Sequence, residues 1–98
     1  IVAFDTKTFI TKNDNYNLYN YNGTFRLNGS YKYLNYISKY IEVKDINNNY
    51  YILDGNTLSI VSNTFTTNDE SVIETTVNSD NKLEIKIDNE VKQTIDIL

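Results

Sequence analysis

The last third of the chain, Ser71 to Leu98, alternates with a period of two, and that pattern leaves few folds open. Val77, Leu83, Ile85, Ile87, Val91, Ile95 and Ile97 form an apolar set, with Glu84, Lys86, Asp88, Lys92, Thr94 and Asp96 between them. A two-residue period belongs to antiparallel strands with one dry and one wet face. Three consecutive strands joined by tight turns are therefore predicted here. Their dry face needs a second layer, which the rest of the chain must supply.

The apolar pattern also selects a register. A three-residue loop Asp88-Asn89-Glu90 sets Ile87 opposite Val91, Ile85 opposite Gln93 and Leu83 opposite Ile95. A two-residue loop would mix the faces, so the longer one is expected. A Ser79-Asp80-Asn81 loop likewise pairs Val77 with Leu83 and Thr75 with Ile85. Gln93 is the one polar residue on the dry face, which places it at a sheet edge or beside an opening.

Earlier in the chain, Ile1 to Thr11 reads as a first strand with Val2, Phe4, Thr6 and Thr8 on one face and an imperfect alternation. An apolar terminal strand is what one subunit inserts into another in β-augmentation, so Val2 and Phe4 are candidate donor-strand residues; an ordinary edge strand is the simpler alternative. Lys12 to Asn17 is a turn cluster. Asn22-Gly23 then marks a hairpin between Leu18–Tyr21 and Thr24–Leu27, and Asn28-Gly29 leads on to Tyr31–Tyr36.

Residues 31–41 are ambiguous. Tyr33, Ile37, Tyr40 and Ile41 fall on a helical stripe. Tyr and Ile favour strands, and no acidic partner at Tyr33 completes a capping box with Ser30, so a strand is expected, with a short helix as the alternative. Tyr40–Lys44 and Tyr50–Leu53 make a hairpin with Val43 opposite Ile52, and Asp54-Gly55 sets Tyr51 opposite Leu58. Ser62 to Ser71 is the longest polar loop and the expected crossover between sheets. Short strands with turn signals about every ten residues predict an all-β chain, an antiparallel two-sheet β-sandwich of immunoglobulin-like architecture, as one domain over residues 1–98.

Composition narrows function mainly by exclusion. The chain has no Cys, so neither a disulfide framework nor a thiolate metal site supports it, and without His as well a nucleophile–base pair has few candidates. Most of its acidic residues stand at wet strand positions or in turns, and its three isolated glycines make no phosphate loop. A non-enzymatic role is expected. A net charge of −4 with one arginine, Arg26, lacks the basic footprint of a nucleic-acid binder. No apolar run approaches the roughly 20 residues that span a bilayer. Beginning at Ile1 rather than Met, the sequence reads as a processed mature chain or a piece of a longer one.

Three features carry binding expectations. All nine tyrosines lie between Tyr16 and Tyr51. Tyr19 and Tyr21 share one strand face, as do Tyr31 and Tyr33, and such rows serve subunit contacts or sugar stacking as well as sheet stability. Asp45, Asn47 and Asn49 open with the spacing of a calcium loop, but Tyr50 stands where Gly is needed and Asn56 where Glu is needed, so calcium is only a weak expectation and no other cofactor is expected. Asn22-Gly23-Thr24 and Asn28-Gly29-Ser30 are glycosylation sequons of a kind that arises readily by chance in an Asn-rich chain. Together these point to a structural or adhesive module of an extracellular surface protein, filament or virion, acting through self-association or neighbouring domains. The alternatives are a carbohydrate-binding module and a spacer domain of a larger secreted enzyme or toxin.

Overall fold

Turn chemistry decides this fold more than strand propensity does. The computed structural model describes residues 1–5, 7–27 and 29–97, and among these it is all β, with two antiparallel sheets and no helix. The readings placed on Thr6, on Asn28 with its sequon, and on Leu98 lie outside the described residues. The first sheet runs in chain order through β1 (Ala3–Phe4), β2 (Thr8–Lys12), β3 (Tyr16–Asn20), β4 (Tyr31–Ile37), β5 (Tyr40–Asp45), β6 (Asn49–Asp54) and β7 (Phe65–Thr66). The second contains β8 (Ile73–Val77), β9 (Lys82–Ile87) and β10 (Glu90–Asp96), with β9 in the middle.

The second sheet is the predicted one, with one instructive departure. Val77 faces Leu83 and Thr75 faces Ile85 as expected, across a loop closed by the Asn78 N–H on the Lys82 carbonyl with Asn81 at φ 57°. Between β9 and β10 the loop is instead the two-residue Asp88-Asn89, both residues at positive φ, so Ile87 pairs with Glu90 and Val91 with Lys86. Asp and Asn tolerate that left-handed backbone, which the favoured hairpin turn requires at both positions. A bulge between Val91 and Gln93 then absorbs one residue. From there the expected pairs return, Gln93 with Ile85 and Ile95 with Leu83. Val91 is left exposed rather than on the dry face, and so is Val77 at its strand end.

The 31–41 stretch is the hairpin of β4 and β5, turning at Ser38-Lys39 with Ser38 at φ 54°; the helical alternative is overturned. Burial on both faces of β5 explains the mistaken stripe, since Tyr40, Ile41, Glu42 and Val43 are buried in succession. The β5–β6 register differs by one from expectation, with Val43 opposite Tyr51 and Glu42 opposite Ile52. A three-residue loop with Asn48 at φ 66° produces that shift. After β6 the chain makes a wider loop than Asp54-Gly55 alone: Leu53 bridges Ile60, so Tyr51 is not paired opposite Leu58. Thr57–Val61 contributes only that bridge to the sheet. β1 and β2 likewise pair as a hairpin where one strand was expected, with the Asp5 carboxylate accepting the N–H groups of Lys7 and Thr8 at 2.8 Å. Ser62–Ser71 contains the short β7, after which the chain crosses to the second sheet.

Two cores result. Ile10, Leu18, Leu34, Ile41, Val43 and Leu53 cluster on the inner face of the first sheet, which curls so that β2 and β4 meet through a Thr8–Tyr36 hydroxyl contact of 2.7 Å. On the opposite face, Tyr40, Tyr50 and Ile52 pack against Leu83, Ile85 and Ile87 of the second sheet. β5 and β6 are thus buried on both sides. Gln93, the polar residue on the dry face, accepts the Asn63 N–H at 2.8 Å and ties β10 to the loop before β7.

Gly55 closes the end of this hairpin stack. Its N–H donates to the Lys39 carbonyl, and a Cβ added there would lie 2.5 Å from that same oxygen. Since the obstacle is backbone, Gly55→Ala is expected to cost roughly 1–3 kcal/mol in urea unfolding, the range of overpacking. A variant as stable as the native chain would mean that the β4–β5 turn yields freely.

Candidate interaction surface

The outer face of β1, β2 and β3 carries a row of aromatic rings, several of them exposed. Ile10 and Leu18 turn inward and are fully buried, so their neighbours Phe9 and Tyr19 project outward. Phe4 faces Phe9, Phe9 faces Tyr19, and Tyr19 bridges Phe25, giving four successive cross-strand positions in one line. Phe9 and Tyr19 stack with centroids 5.3 Å apart and planes 11° off parallel; Tyr19 and Phe25 stack at 4.8 Å and 24°. Tyr21 closes on Phe9 at 5.8 Å with a tilt of 37°. Its hydroxyl donates to the Asp5 carbonyl. Phe4, Tyr21 and Phe25 are 72%, 55% and 52% exposed.

Tyr19 and Tyr21, expected on one face of a strand, both meet Phe9, but Tyr21 sits in the turn rather than the strand. That turn holds three residues, Tyr21-Asn22-Gly23, with Gly23 at φ 88° and Asn20 bonded to Thr24. Phe4, expected on a donor strand, belongs to the row, and Val2 is exposed beside it. Phe9 and Phe25 were missed. Their signal was the pairing itself: once the Asn22-Gly23 hairpin is given three loop residues, Phe25 must face Tyr19.

Tyr31 and Tyr33 do not share a surface. A bulge at Lys32 separates them, leaving Tyr31 packed against the first core. Tyr33 meets Tyr16 edge-on at 5.6 Å and lines a cleft between the sheets. That cleft, about 390 Å³, is bounded by Lys32, Tyr33, Lys44, Asp69 and Ser71, with Glu42 and Tyr50 beneath. Glu42 is only 6% exposed, and sequence reading passed over it as one more strand carboxylate. Its Oε2 accepts the Tyr50 hydroxyl at 2.5 Å and its Oε1 the Asn35 amide at 3.1 Å. The Tyr50 hydroxyl also meets Thr75 Oγ1 of the second sheet at 2.5 Å. Burial drives the Glu42 carboxyl above its ordinary range against the pull of these donors. Burial, and then the Glu42 charge, push Tyr33 up to about 12 and raise Tyr50 further. Lys32 Nζ donates to Asn48 Oδ1 at 2.7 Å and to Asp69 at 2.8 Å, and this contact holds Asp69 below the usual carboxylate range.

Asp45, Asn47 and Asn49 make the β5–β6 turn. One Asp45 carboxylate oxygen accepts the N–H groups of Asn47 and Asn49 at 2.9 and 3.0 Å. This Asx-type capping accounts for the spacing by itself. Comparison with protein-family models, with curated proteins and with solved structures gives no match.

Proposed function

We propose that the chain is a non-enzymatic structural or adhesive module of an extracellular surface assembly or virion, and that it makes its contacts with protein through the aromatic row. Its two sheets support a sandwich reading, immunoglobulin-like in layering alone, since the strands of each sheet follow chain order. The observation that carries the functional reading is the stacking of Phe9, Tyr19 and Phe25 on one another. Rings stacked this way turn their edges outward, whereas a sugar platform needs an outward face. A ridge of aromatic edges suits interdigitation with side chains of another protein surface, where aromatic residues are enriched.

A carbohydrate reading draws support from a different place, the polar cleft with Tyr33 beside Lys32, Lys44, Asp69 and Ser71. Its volume lies in the range of small-ligand sites. Amide and ring NMR shifts separate the two. Shifts at Phe9, Tyr19 and Phe25 that grow with protein concentration, and vanish in Tyr21→Ser/Phe25→Ser, support the row. Saturable shifts at Tyr33 on adding oligosaccharides, with the row silent, would replace it with the cleft.

A further inference from the structure

We propose that the cleft between the sheets holds an acidic sugar, a uronate, whose carboxylate takes the place that Asp69 now fills beside Lys32 and Lys44. This names the ligand class for the carbohydrate reading of the cleft and rests on that reading, not on the aromatic row, with which it shares no residue.

The rim of the cleft already holds a carboxylate. Asp69 accepts from Lys32 Nζ at 2.8 Å, the Asn48 side chain hydrogen-bonds to it as well, and the Lys44 charge acts on it. The cradle itself does not depend on Asp69. Lys32 Nζ also donates to Asn48 Oδ1, and Lys44 Nζ donates to the Asn68 carbonyl, each at 2.7 Å. The loop likewise keeps an anchor without Asp69, because the N–H and the hydroxyl of Thr67 both donate to the Asn48 carbonyl, at 2.9 and 2.6 Å. The Asp69 side chain is 76% exposed, and an ion pair so open to water is weak. Exchanging it for another carboxylate therefore costs little.

The floor calls for a different chemistry. Glu42 accepts there from Tyr33, Asn35 and Tyr50. The protons of the two tyrosine hydroxyls are spent on Glu42, so lone pairs are what these oxygens leave to the cleft. Such a floor takes hydroxyl donors and repels a second carboxylate. Ile73 and the Tyr33 ring add apolar surface, which suits the C–H groups of a sugar ring. A carboxylate at the rim and hydroxyls at the floor are together the pattern of a uronate, and about 390 Å³ is room for a small one. A neutral sugar matches only the floor, and a simple carboxylate only the rim.

Amide NMR of the native chain at low salt, titrated in turn with glucuronate, glucose and acetate, tests this. Glucuronate is expected to give saturable shifts at Tyr33, Asn48 and Asp69, at concentrations below those at which glucose or acetate act. Asp69→Ala should tighten glucuronate by up to about fivefold, the scale of one exposed ion pair. Lys32→Gln should abolish the shifts, with a thermal melt reporting that the variant is folded. Glucuronate binding that is unchanged or weaker in Asp69→Ala would overturn the exchange. Acetate acting as well as glucuronate would overturn the sugar, and glucose acting as well would overturn the acid and leave a neutral-sugar site. Silence with all three would remove the cleft as a sugar site, while concentration-dependent shifts at Phe9 and Tyr19 would still keep the row.

Discussion

Replacing Tyr50 with Ala is expected to remove most of the stability of this protein. The ring is fully buried between the sheets, beside Ile52, Leu83 and Ile85, and truncating a buried aromatic residue costs about 3–5 kcal/mol. The hydroxyl adds to this, because its loss leaves the buried Glu42 carboxylate without its closest donor, a penalty of about 1–3 kcal/mol. Against a total of roughly 5–15 kcal/mol for a domain, few such losses are survivable. Tyr50→Phe separates the two parts: it keeps the ring and should lose only the second amount. At about 4–8 °C per kcal/mol for a chain of this size, both effects are readable in a thermal melt. A Phe variant that melts with the Ala variant would mean that the hydroxyl network, not the packing, holds the second sheet on.

Glu42→Gln is expected to stabilise the protein at neutral pH and to do so progressively less in acid. Burial raises the folded-state pKa of Glu42 above its ordinary 4.5, so the folded chain binds that proton more readily than the unfolded chain. The stability linked to it is fully present below 4.5 and is lost as pH rises through the folded value. Gln has no such loss and keeps an amide oxygen for the surrounding donors. The difference between the two proteins should therefore be small below 4.5 and grow to about 1–3 kcal/mol at neutral pH, the scale of leaving a buried polar group imperfectly satisfied. Asp5, Asp54 and Asp69 act in the opposite sense, since their values are lowered: stability from them is present above 3.8 and lost as pH falls through their folded values. The native chain is thus expected to be most stable in mildly acidic solution. Urea midpoints of both proteins from acid to neutral pH decide the matter, and a constant offset would show that the Glu42 charge is not what the fold resists.

What the sequence made legible is what a one-sided sheet writes into it. β9 could be read residue by residue, because Leu83, Ile85 and Ile87 alternate with residues that stay wet. β5 could not, because both of its faces are buried and the alternation vanishes. Turns carried by Asn and Asp were found, and the β8–β9 turn has its expected register, but other lengths were not read: Asp88-Asn89 takes two residues only because a bulge further on restores the register. Asp5 as a turn-maker was hidden inside a stretch, residues 1–11, that reads as one strand of imperfect alternation. The aromatic row was half visible, since tyrosines declare themselves by clustering, while Phe9 and Phe25 join only once three strands are aligned. Glu42 left no local trace. A buried carboxylate differs from an exposed one by its neighbours, and these come from β4, β6 and β8.

Association with protein, self-association included, is the role proposed for the outer face of β1–β3. Sedimentation equilibrium of the native chain, from dilute solution up to about 1 mM, where even weak specific contacts become populated, tests it most directly. A mass that rises toward that of a dimer is expected, with a monomer throughout for Tyr21→Ser/Phe25→Ser. A native chain that stays monomeric across the whole range would contradict it.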